Sequence, residues 1–189
     1  DGQPVQGACH PPSGLANAGW TMIQFRDALP EDAPALARLG ARSFFETFGH
    51  LYDPADLALF LQNHAVANWR EQMADPAYAV RVGEADSQLA AYAKVGPPSL
   101  PFQPRGPATE LRQFYILKPW QGTGAAAELM DWVLAEARRR GAEHLYLSVF
   151  TDNHRARRFY ARYGFVEEGP YKFMVGNHAD EDIVMRLDL

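Results

Sequence analysis

A glycine-containing segment at positions 118–126 (Lys-Pro-Trp-Gln-Gly-Thr-Gly-Ala-Ala) has the residue types of a ligand-binding loop. Gly122 and Gly124 stand directly before a stretch with helical periodicity. Glycine lets the backbone approach a ligand closely, and the free N–H groups at the start of a helix attract an anion. The segment therefore predicts a site for a ligand that carries phosphate.

Two common phosphate-binding patterns fit this segment poorly. A P-loop requires G-x-x-x-x-G-K-S/T, and no Lys-Ser or Lys-Thr pair follows Gly124. The dinucleotide pattern G-x-G-x-x-A is met by Gly122, Gly124 and Ala127, with Glu143 further along the chain. Glu143 precedes the next predicted strand, however, whereas the ribose-binding acid of a dinucleotide fold follows that strand. A nicotinamide-dependent reductase is therefore the weaker interpretation.

A second pattern begins at Asn153 and reads Asn-x-x-Ala-x-x-Phe-Tyr-x-x-x-Gly-Phe up to residue 165. Asp152 and Asn153 are suited to cap a helix, and Gly164 is suited to end it. Between them, Phe159 and Tyr160 share one face of the predicted helix. The pattern therefore places a tyrosine on a rigid element downstream of the glycine segment.

The two patterns together resemble the signatures of the GCN5-related N-acetyltransferases (GNAT). Gln121-x-x-Gly124-x-Ala126 is similar to the pyrophosphate-binding signature of that family, between a strand and a long helix. The pattern from Asn153 to residue 165 resembles the family's second signature, at a matching separation. Order, context and spacing agree, and the similarity covers residues 22–189.

The resemblance implies the GNAT fold, an α/β domain. Its mixed, mostly antiparallel central sheet has about six to seven strands and is flanked by helices on both faces. It also implies acetyl-CoA as co-substrate and no metal. The implied CoA-binding residues are Phe114, Tyr115, Ile116, Gln121, Gly122, Thr123, Gly124, Ala125, Ala126, Asn153 and Tyr160. The backbone of residues 114–116 is expected to bond the pantetheine arm where the strand splays. Gln121 stands where many relatives have Arg, which removes one cation from the pyrophosphate site.

Acetyl transfer to an amine raises two proton problems. An amine with a pKa of about 10.4 is almost wholly protonated at neutral pH, so a base must take a proton, directly or through water. The departing thiolate also benefits from an acid. The resemblance implies that Tyr160 is the acid and Glu110 the base, through a water chain. Asn153 is implied to contact the pantetheine arm or an ordered water.

Each of these three residues also has a structural interpretation. Tyr160 can be a core tyrosine with a satisfied hydroxyl, Asn153 a helix cap, and Glu110 a solvated acid at the end of a strand. Alternative bases come from the predicted N-terminal helices, which flank the acceptor cleft in this fold. These alternatives are Glu46, His50 and Tyr52.

Two further stretches resemble the bacterial spermidine/polyamine N-acetyltransferase branch, namely residues 44–51 with 53–57 and residues 171–176 with 182–185. The predicted acceptor is therefore a small primary amine, with polyamines first. It attacks the thioester directly in a ternary complex, because no nucleophilic Cys or Ser beside a base is evident. The residues that could form an acidic patch for a polyamine are Asp53, Asp56, Asp180, Glu181 and Asp182.

Two other functions stay open. One is acetylation of a protein or peptide amine, for which residues 97–107 could narrow or open the acceptor groove. The other is a CoA-binding sensor without turnover. Relatives often pair, so a homodimer is the predicted assembly.

The length and composition of the chain limit its possible folds and functions. A chain of 189 residues is enough for one domain with a sizeable core and too short for two ordinary ones. The net charge of −5 argues against a nucleic-acid-coating protein, and the apolar runs are too short to cross a membrane. A single cysteine, Cys9, excludes an intramolecular disulfide framework and a multi-cysteine zinc site in this sequence. The predicted location is the cytoplasm.

Hydrophobic periodicity predicts alternating strands and helices from Met22 onward. The predicted strands are 22–26, 78–83, 89–95, 111–117, 145–149, a short one near 165–166, and 183–187. The predicted helices begin at 29–32, at 53–54 (with Leu57, Phe60 and Leu61 on one face), at 69, at 126 and at 152–153. Residues 97–107 contain five prolines and predict a stiff surface loop. Residues 1–21 lack periodicity and predict a flexible tail, native or vector-derived, ahead of a domain at 22–189.

Overall fold

Alternating apolar residues build the strands of one sheet in the part of the chain described by the computed structural model, which is residues 21–48, 52–56 and 65–189. The described strands are β1 (Gln24–Asp27), β2 (Ala79–Ala85), β3 (Gln88–Gly96), β4 (Ala108–Ile116), β5 (His144–Phe150), β6 (Val166–Val175) and β7 (His178–Asp188). They lie in the order β1-β2-β3-β4-β5-β7-β6. The mixed, mostly antiparallel sheet that the sequence predicts is confirmed.

The described helices cover both faces of this sheet. They are α1 (Ala33–Phe48), α2 (Val66–Ala74), α3 (Ala125–Arg139) and α4 (His154–Arg162). Strand β3 shows the two layers: Tyr92 faces a core that contains Leu36 and Trp69, from α1 and α2. Its neighbour Ala93 faces a second core, which contains Leu129 from α3. Successive side chains of a strand point to opposite faces, so the sheet separates α1 and α2 from α3.

One pair of neighbouring strands is parallel, and it is short. β4 and β5 pair along Ala108–Glu110 and His144–Tyr146 and then part, although both strands continue. On its other side β4 stays paired with β3 up to Ile116. Between β3 and β4 the register shifts, so that Arg112 is the extra residue of a β-bulge. A bulge bends and twists its strand. The sheet is therefore open between β4 and β5 beyond residue 110.

The connections on either side of β3 lie between strands that the sequence predicts. Asp86 and Ser87 have φ of 51° and 60° and form the two-residue turn of the β2–β3 hairpin. That left-handed backbone matches the turns that two-residue hairpins favour. Residues 97–107 form the connection between β3 and β4, as predicted from their prolines.

The last two strands are much longer than the sequence predicts. β6 and β7 pair from Val166 to Val175, through a bulge between Glu167 and Gly169. The sequence predicts only a short strand near 165–166, whereas the described strand continues through Gly169 and Pro170. Pro170 is tolerated inside the strand because β6 is the edge of the sheet.

Some predictions lie outside the described residues. These are the tail at residues 1–20, together with Leu57, Phe60 and Leu61 of the helix that begins at residue 54. The division of the chain into a tail and a domain at 22–189 stays a prediction. In the described part of the chain, no helix combines the length and the apolar character that a membrane span needs.

Candidate active site

The opening between β4 and β5 leads into a cavity of about 460 Å³. Its lining residues come from the strands β3, β4, β5 and β7 and from the helices α1, α2 and α4, with the cap residue Asn153. In chain order the lining residues are Gly40, Ser43, Phe44, Gln72, Tyr92, Lys94, residues 111–115, residues 147–150, Asn153, Ala156, Tyr160, Asp180 and Asp182. The cavity therefore combines an unpaired strand edge with side chains of both charges.

The glycine segment lies at the end of β4 and starts α3. Gly122 and Gly124 have φ of 78° and 90°, and Gly124 is the N-cap of this 15-residue helix. A Cβ at either glycine would meet no atom within 4 Å, so the loop surface there is open. The first N–H groups of a helix have no partner inside it, and the helix dipole adds a positive potential. The geometry of this loop is therefore suited to an anion, and the phosphate site stays a prediction.

Gln121 ties this loop to its surroundings. Its Nε2 donates to the carbonyl of Ile116 at 2.8 Å, and its Oε1 accepts a hydrogen bond from Nη1 of Arg155 at 2.7 Å. Arg155 lies in the first turn of α4 and is exposed. A cation is therefore present beside the glycine loop although residue 121 itself is neutral. The sequence analysis missed Arg155, although it stands inside the second motif, two residues after Asn153.

Asn153 caps α4. Its Oδ1 accepts a hydrogen bond from the backbone N–H of Ala156 at 3.2 Å, and the residue also lines the cavity. The cap interpretation of Asn153 is confirmed. The cap also fixes the helix that carries Tyr160 and Arg155.

Tyr160 stands in a cluster of aromatic rings against the cavity. Its ring centroid is 6.4 Å from that of Phe114 and 5.6 Å from that of Phe165. The residue is 8% exposed, and burial raises the pKa of its phenol well above the ordinary value of 10. Its hydroxyl therefore keeps its proton at neutral pH.

Glu110 lies at the last paired position before β4 and β5 part, and it is 5% exposed. Its Oε2 accepts hydrogen bonds from the backbone N–H and the hydroxyl of Ser99, at 2.6 and 3.0 Å. Glu110 is not among the described lining residues of the cavity. The structure thus places the predicted base beside the cavity, held by the proline-rich loop.

Two carboxylates of β7 line the cavity itself. Asp182 is 7% exposed, and burial, followed by the negative charge of Asp180, raises its pKa to about 7, although a hydrogen bond from Ser148 opposes the shift. Burial also raises the pKa of Asp180. Asp182 can therefore accept or release a proton near neutral pH. The sequence analysis considers it as part of an acidic patch and misses it as a candidate base.

Neither Glu46 nor Tyr52 is among the described residues that line this cavity, although each contacts one that does. Glu46 bonds Nε of Arg42 at 2.7 Å and the hydroxyl of Tyr115 at 2.9 Å, and these partners, Arg42 first, lower its pKa. Tyr52 is buried, with its ring stacked on that of Phe44 at 5.6 Å. His50 lies outside the described residues.

The predicted acidic patch is divided. Asp180 and Asp182 line the cavity, whereas Asp53 is exposed and bonds the N–H of Ala55. Asp56 accepts a hydrogen bond from the N–H of Asn177, in the turn between β6 and β7. Two of the five acids therefore face the cavity.

Of the three predicted pantetheine-binding positions on β4, Phe114 and Tyr115 line the cavity. Ile116 does not, and its carbonyl oxygen already accepts the bond from Gln121. Gln113, which the sequence analysis leaves out, has a buried side-chain oxygen without a hydrogen-bond partner among the described residues. An unpaired buried acceptor at a cavity wall is suited to an N–H of a ligand.

A second hollow, of about 550 Å³, borders the glycine loop on the side of β1. Thr123, Gly124 and Ala125 line it, together with Met22 and Glu128. Neither Tyr160 nor Asp182 is among its described lining residues, whereas both line the cavity between β4 and β5. Among the described residues, no three His, Cys, Asp or Glu side chains form a group that could hold a metal ion.

We expect Asn153→Ala to lower the free energy of unfolding by about 0.5–2 kcal/mol, because the N–H of Ala156 loses its side-chain acceptor. Asn153→Asp keeps an acceptor and is the matched control. Urea unfolding followed by circular dichroism measures both variants. Equal stability of Asn153→Ala and the parent would contradict the capping role.

The model of the Acetyltransferase (GNAT) family matches residues 35–165. An N-acetyltransferase of Mycobacterium tuberculosis, named as uncharacterized, is 35% identical over 159 residues, which is 84% of this chain and 98% of that protein.

Solved structures agree with these matches. The PaiA N-acetyltransferase of Thermoplasma acidophilum, in complex with coenzyme A, has a TM-score of 0.71 and 16% identity over 89% of this chain and 99% of that one. The ribosomal-protein-alanine N-acetyltransferase of Brucella melitensis has a TM-score of 0.67 and 25% identity over 88% of this chain and 99% of that one. The first likeness shows the fold alone. Because the family model spans more than half of the sequence, the chain belongs to the GNAT family of acetyltransferases.

Proposed function

We propose that this protein transfers the acetyl group of acetyl-CoA to a small primary amine. The observation that carries the proposal is the parting of β4 and β5 beyond Glu110, on the strand that leads into the glycine loop. An anion site and a cavity with proton-transferring side chains thereby lie next to each other. This is the combination that a phosphate-bearing acyl donor and an amine acceptor need.

The residues present fit acetyl-CoA. The N–H groups at the start of α3, with Gln121 and Arg155 beside them, would hold the pyrophosphate. The edge of β4 that turns away from β5 offers backbone groups to the pantetheine arm, and Gln113 offers an unpaired oxygen. When bound, acetyl-CoA supplies a thioester that an amine can attack directly.

Two side chains can manage the protons of this reaction. Asp182, with a pKa of about 7, is placed to take a proton from the incoming ammonium group. Tyr160 keeps its proton at neutral pH and is placed to donate toward the sulfur that leaves. Neither Cys nor His lines the described part of the cavity, which favours direct attack over a covalent acetyl-enzyme.

Glu110 keeps a role in this proposal as a base that acts through water. Burial raises the pKa of Tyr171, and the charges of Asp182 and Glu110 raise it further, so both carboxylates are within electrostatic reach of that ring. The hydrogen bonds from Ser99 hold Glu110 away from direct contact with an acceptor.

The acceptor predicted from the sequence is a polyamine, with a peptide amine as the alternative. The polyamine preference rests on the resemblance described above, and Asp180 and Asp182 are compatible with a cationic acceptor. The ribosomal-protein-alanine N-acetyltransferase of Brucella melitensis keeps a peptide amine as the alternative. The homodimer and the cytoplasmic location stay predictions.

The central test follows thiol release from acetyl-CoA against a panel of amines: spermidine, spermine, amino acids, aminoglycosides and short peptides with free N-termini. We expect turnover with at least one small amine. Thermal-shift measurements with CoA and with NAD run in parallel, and we expect stabilisation by CoA. Stabilisation by NAD instead of CoA contradicts the proposal. Stabilisation by CoA without turnover of any amine favours the sensor.

We expect Tyr160→Phe to lower kcat about a hundredfold, because the proton donor to the leaving sulfur is lost. Its dissociation constant for CoA should change little, since the ring and its packing remain. Tyr163→Phe, at the end of the same helix and outside the cavity lining, is the matched control. Steady-state kinetics and calorimetry measure both variants. An unchanged kcat of Tyr160→Phe would assign this tyrosine to packing alone.

We expect Arg155→Ala to weaken CoA binding roughly threefold to tenfold, because an exposed cation near a phosphate contributes on the order of 1 kcal/mol. Arg158→Ala removes an exposed cation of the same helix without touching Gln121 and is the control. Calorimetry at low and at physiological salt measures both. The loss for Arg155→Ala should shrink at higher salt, because salt screens exposed charges. Equal affinities of the two variants would remove Arg155 from the site.

A further inference from the structure

One wall of the cavity between β4 and β5 contains a buried cation, Lys94. The proposed reaction does not use this cation. Lys94, on β3, is 7% exposed and lines the cavity. Its Nζ donates to Oε1 of Gln72 at 2.6 Å and lies 4.5 Å from the centre of the Trp69 ring. A buried ammonium group is costly unless it is paired. Among the described residues, however, Lys94 forms no ion pair with a carboxylate.

Arg112 adds a second positive charge to the same wall. It is the bulged residue of β4, and its guanidinium donates to the hydroxyls of Tyr78 and Ser99, at 3.0 and 2.5 Å. Its Nε lies 3.9 Å from Oε2 of Glu110 and is buried without a hydrogen-bond partner among the described residues. Burial, followed by the charge of Arg112, lowers the pKa of Lys94 to about 8, which still leaves the lysine mostly protonated at neutral pH. Two cations thus line this wall, and Glu110, the carboxylate near Arg112, is not among the described lining residues.

The opposite charges come from β7. Asp180 and Asp182 line the same cavity, and both are buried. Strand β7 is paired with β5 and β6, whereas Lys94 is on β3, beyond the β4–β5 opening. An acceptor in the cavity therefore has carboxylates on one side of the opening and cations on the other.

We propose that the preferred acceptor carries a carboxylate as well as a primary amine, with Lys94 binding the carboxylate and Asp182 receiving the amine. This inference rests on the proposed function. A carboxylate supplies the negative partner that Lys94 lacks, whereas a linear polyamine brings further positive charge toward Lys94 and Arg112. Like charges brought together in a buried site cost free energy. The acceptor class is therefore an amino acid or a similar small zwitterion rather than a polycation.

The test compares each amino acid with its own carboxamide, which keeps the amine and the side chain and removes the negative charge. We expect kcat/KM for the best amino acid to exceed that for its carboxamide, and that for spermidine, at least tenfold. Equal values for the pair would overturn the inference. So would a spermidine value above that of every amino acid, although the proposed acetyltransferase function would then stand.

Variants of Lys94 distinguish binding of the carboxylate from a structural role. Lys94→Met keeps an apolar stem beside Trp69 and should raise KM for the amino acid at least tenfold, with little change for the carboxamide. Lys94→Arg restores a cation and should recover part of the loss. Lys172→Met, at an exposed position of β6, is the charge-matched control. An equal loss of kcat/KM for both members of the pair would assign Lys94 to the structure and overturn the inference.

Calorimetry on the protein with bound CoA separates this inference from the proposed function. Absence of thiol release with every amine contradicts the proposed function. In that case tighter binding of amino acids than of their carboxamides, lost in Lys94→Met, still supports the inference. Equal or undetectable binding of both members overturns it.

Discussion

The organisation of this molecule depends on the short parallel pairing of β4 with β5. Strands that stayed paired along their whole length would satisfy each other's backbone groups and close the sheet. Here the pairing ends at Glu110, and the bulge at Arg112 changes the course of β4 directly afterwards. One edge of β4 is therefore unpaired, and Asn153 and Ala156 at the start of α4 line the cavity at that edge. A ligand that enters this opening meets an edge of β4 that is not paired with β5.

The same opening explains why charged side chains are tolerated in the interior. Lys94, Asp180 and Asp182 are all more than nine-tenths buried, and each is costly to bury in its charged form. The pKa changes of these groups all run toward the neutral forms, which is the effect of burial. A core built for stability alone would hold apolar residues at these positions. The cost of burying these groups therefore supports the proposal that they contact a ligand.

The sequence predicts features that depend on neighbouring residues better than features that depend on residues far apart in the chain. The glycine loop and the Asn153 cap follow from rules that act within a few residues, and the structure has both. Lys94 and Asp182 reach one cavity through strand pairings across the whole sheet, and no local pattern reports such a register. The length of β6 escaped prediction for a related reason. Pro170 breaks a central strand and is tolerated at an edge, and the position of a strand in the sheet is a property of the fold.

The cation beside the glycine loop is a second feature that no local motif predicts. Judged by the motif alone, Gln121 leaves the loop without a cation. In the structure, Arg155 supplies one from a position 34 residues away, through a hydrogen bond to that same glutamine. The glutamine amide is able to do this because it donates to Ile116 with one end and accepts from Arg155 with the other. An arginine at position 121 has no acceptor atom and would repel Arg155. The hydrogen bond therefore couples residues 121 and 155, and in the proposed site the neutral glutamine lets Arg155 contribute its charge.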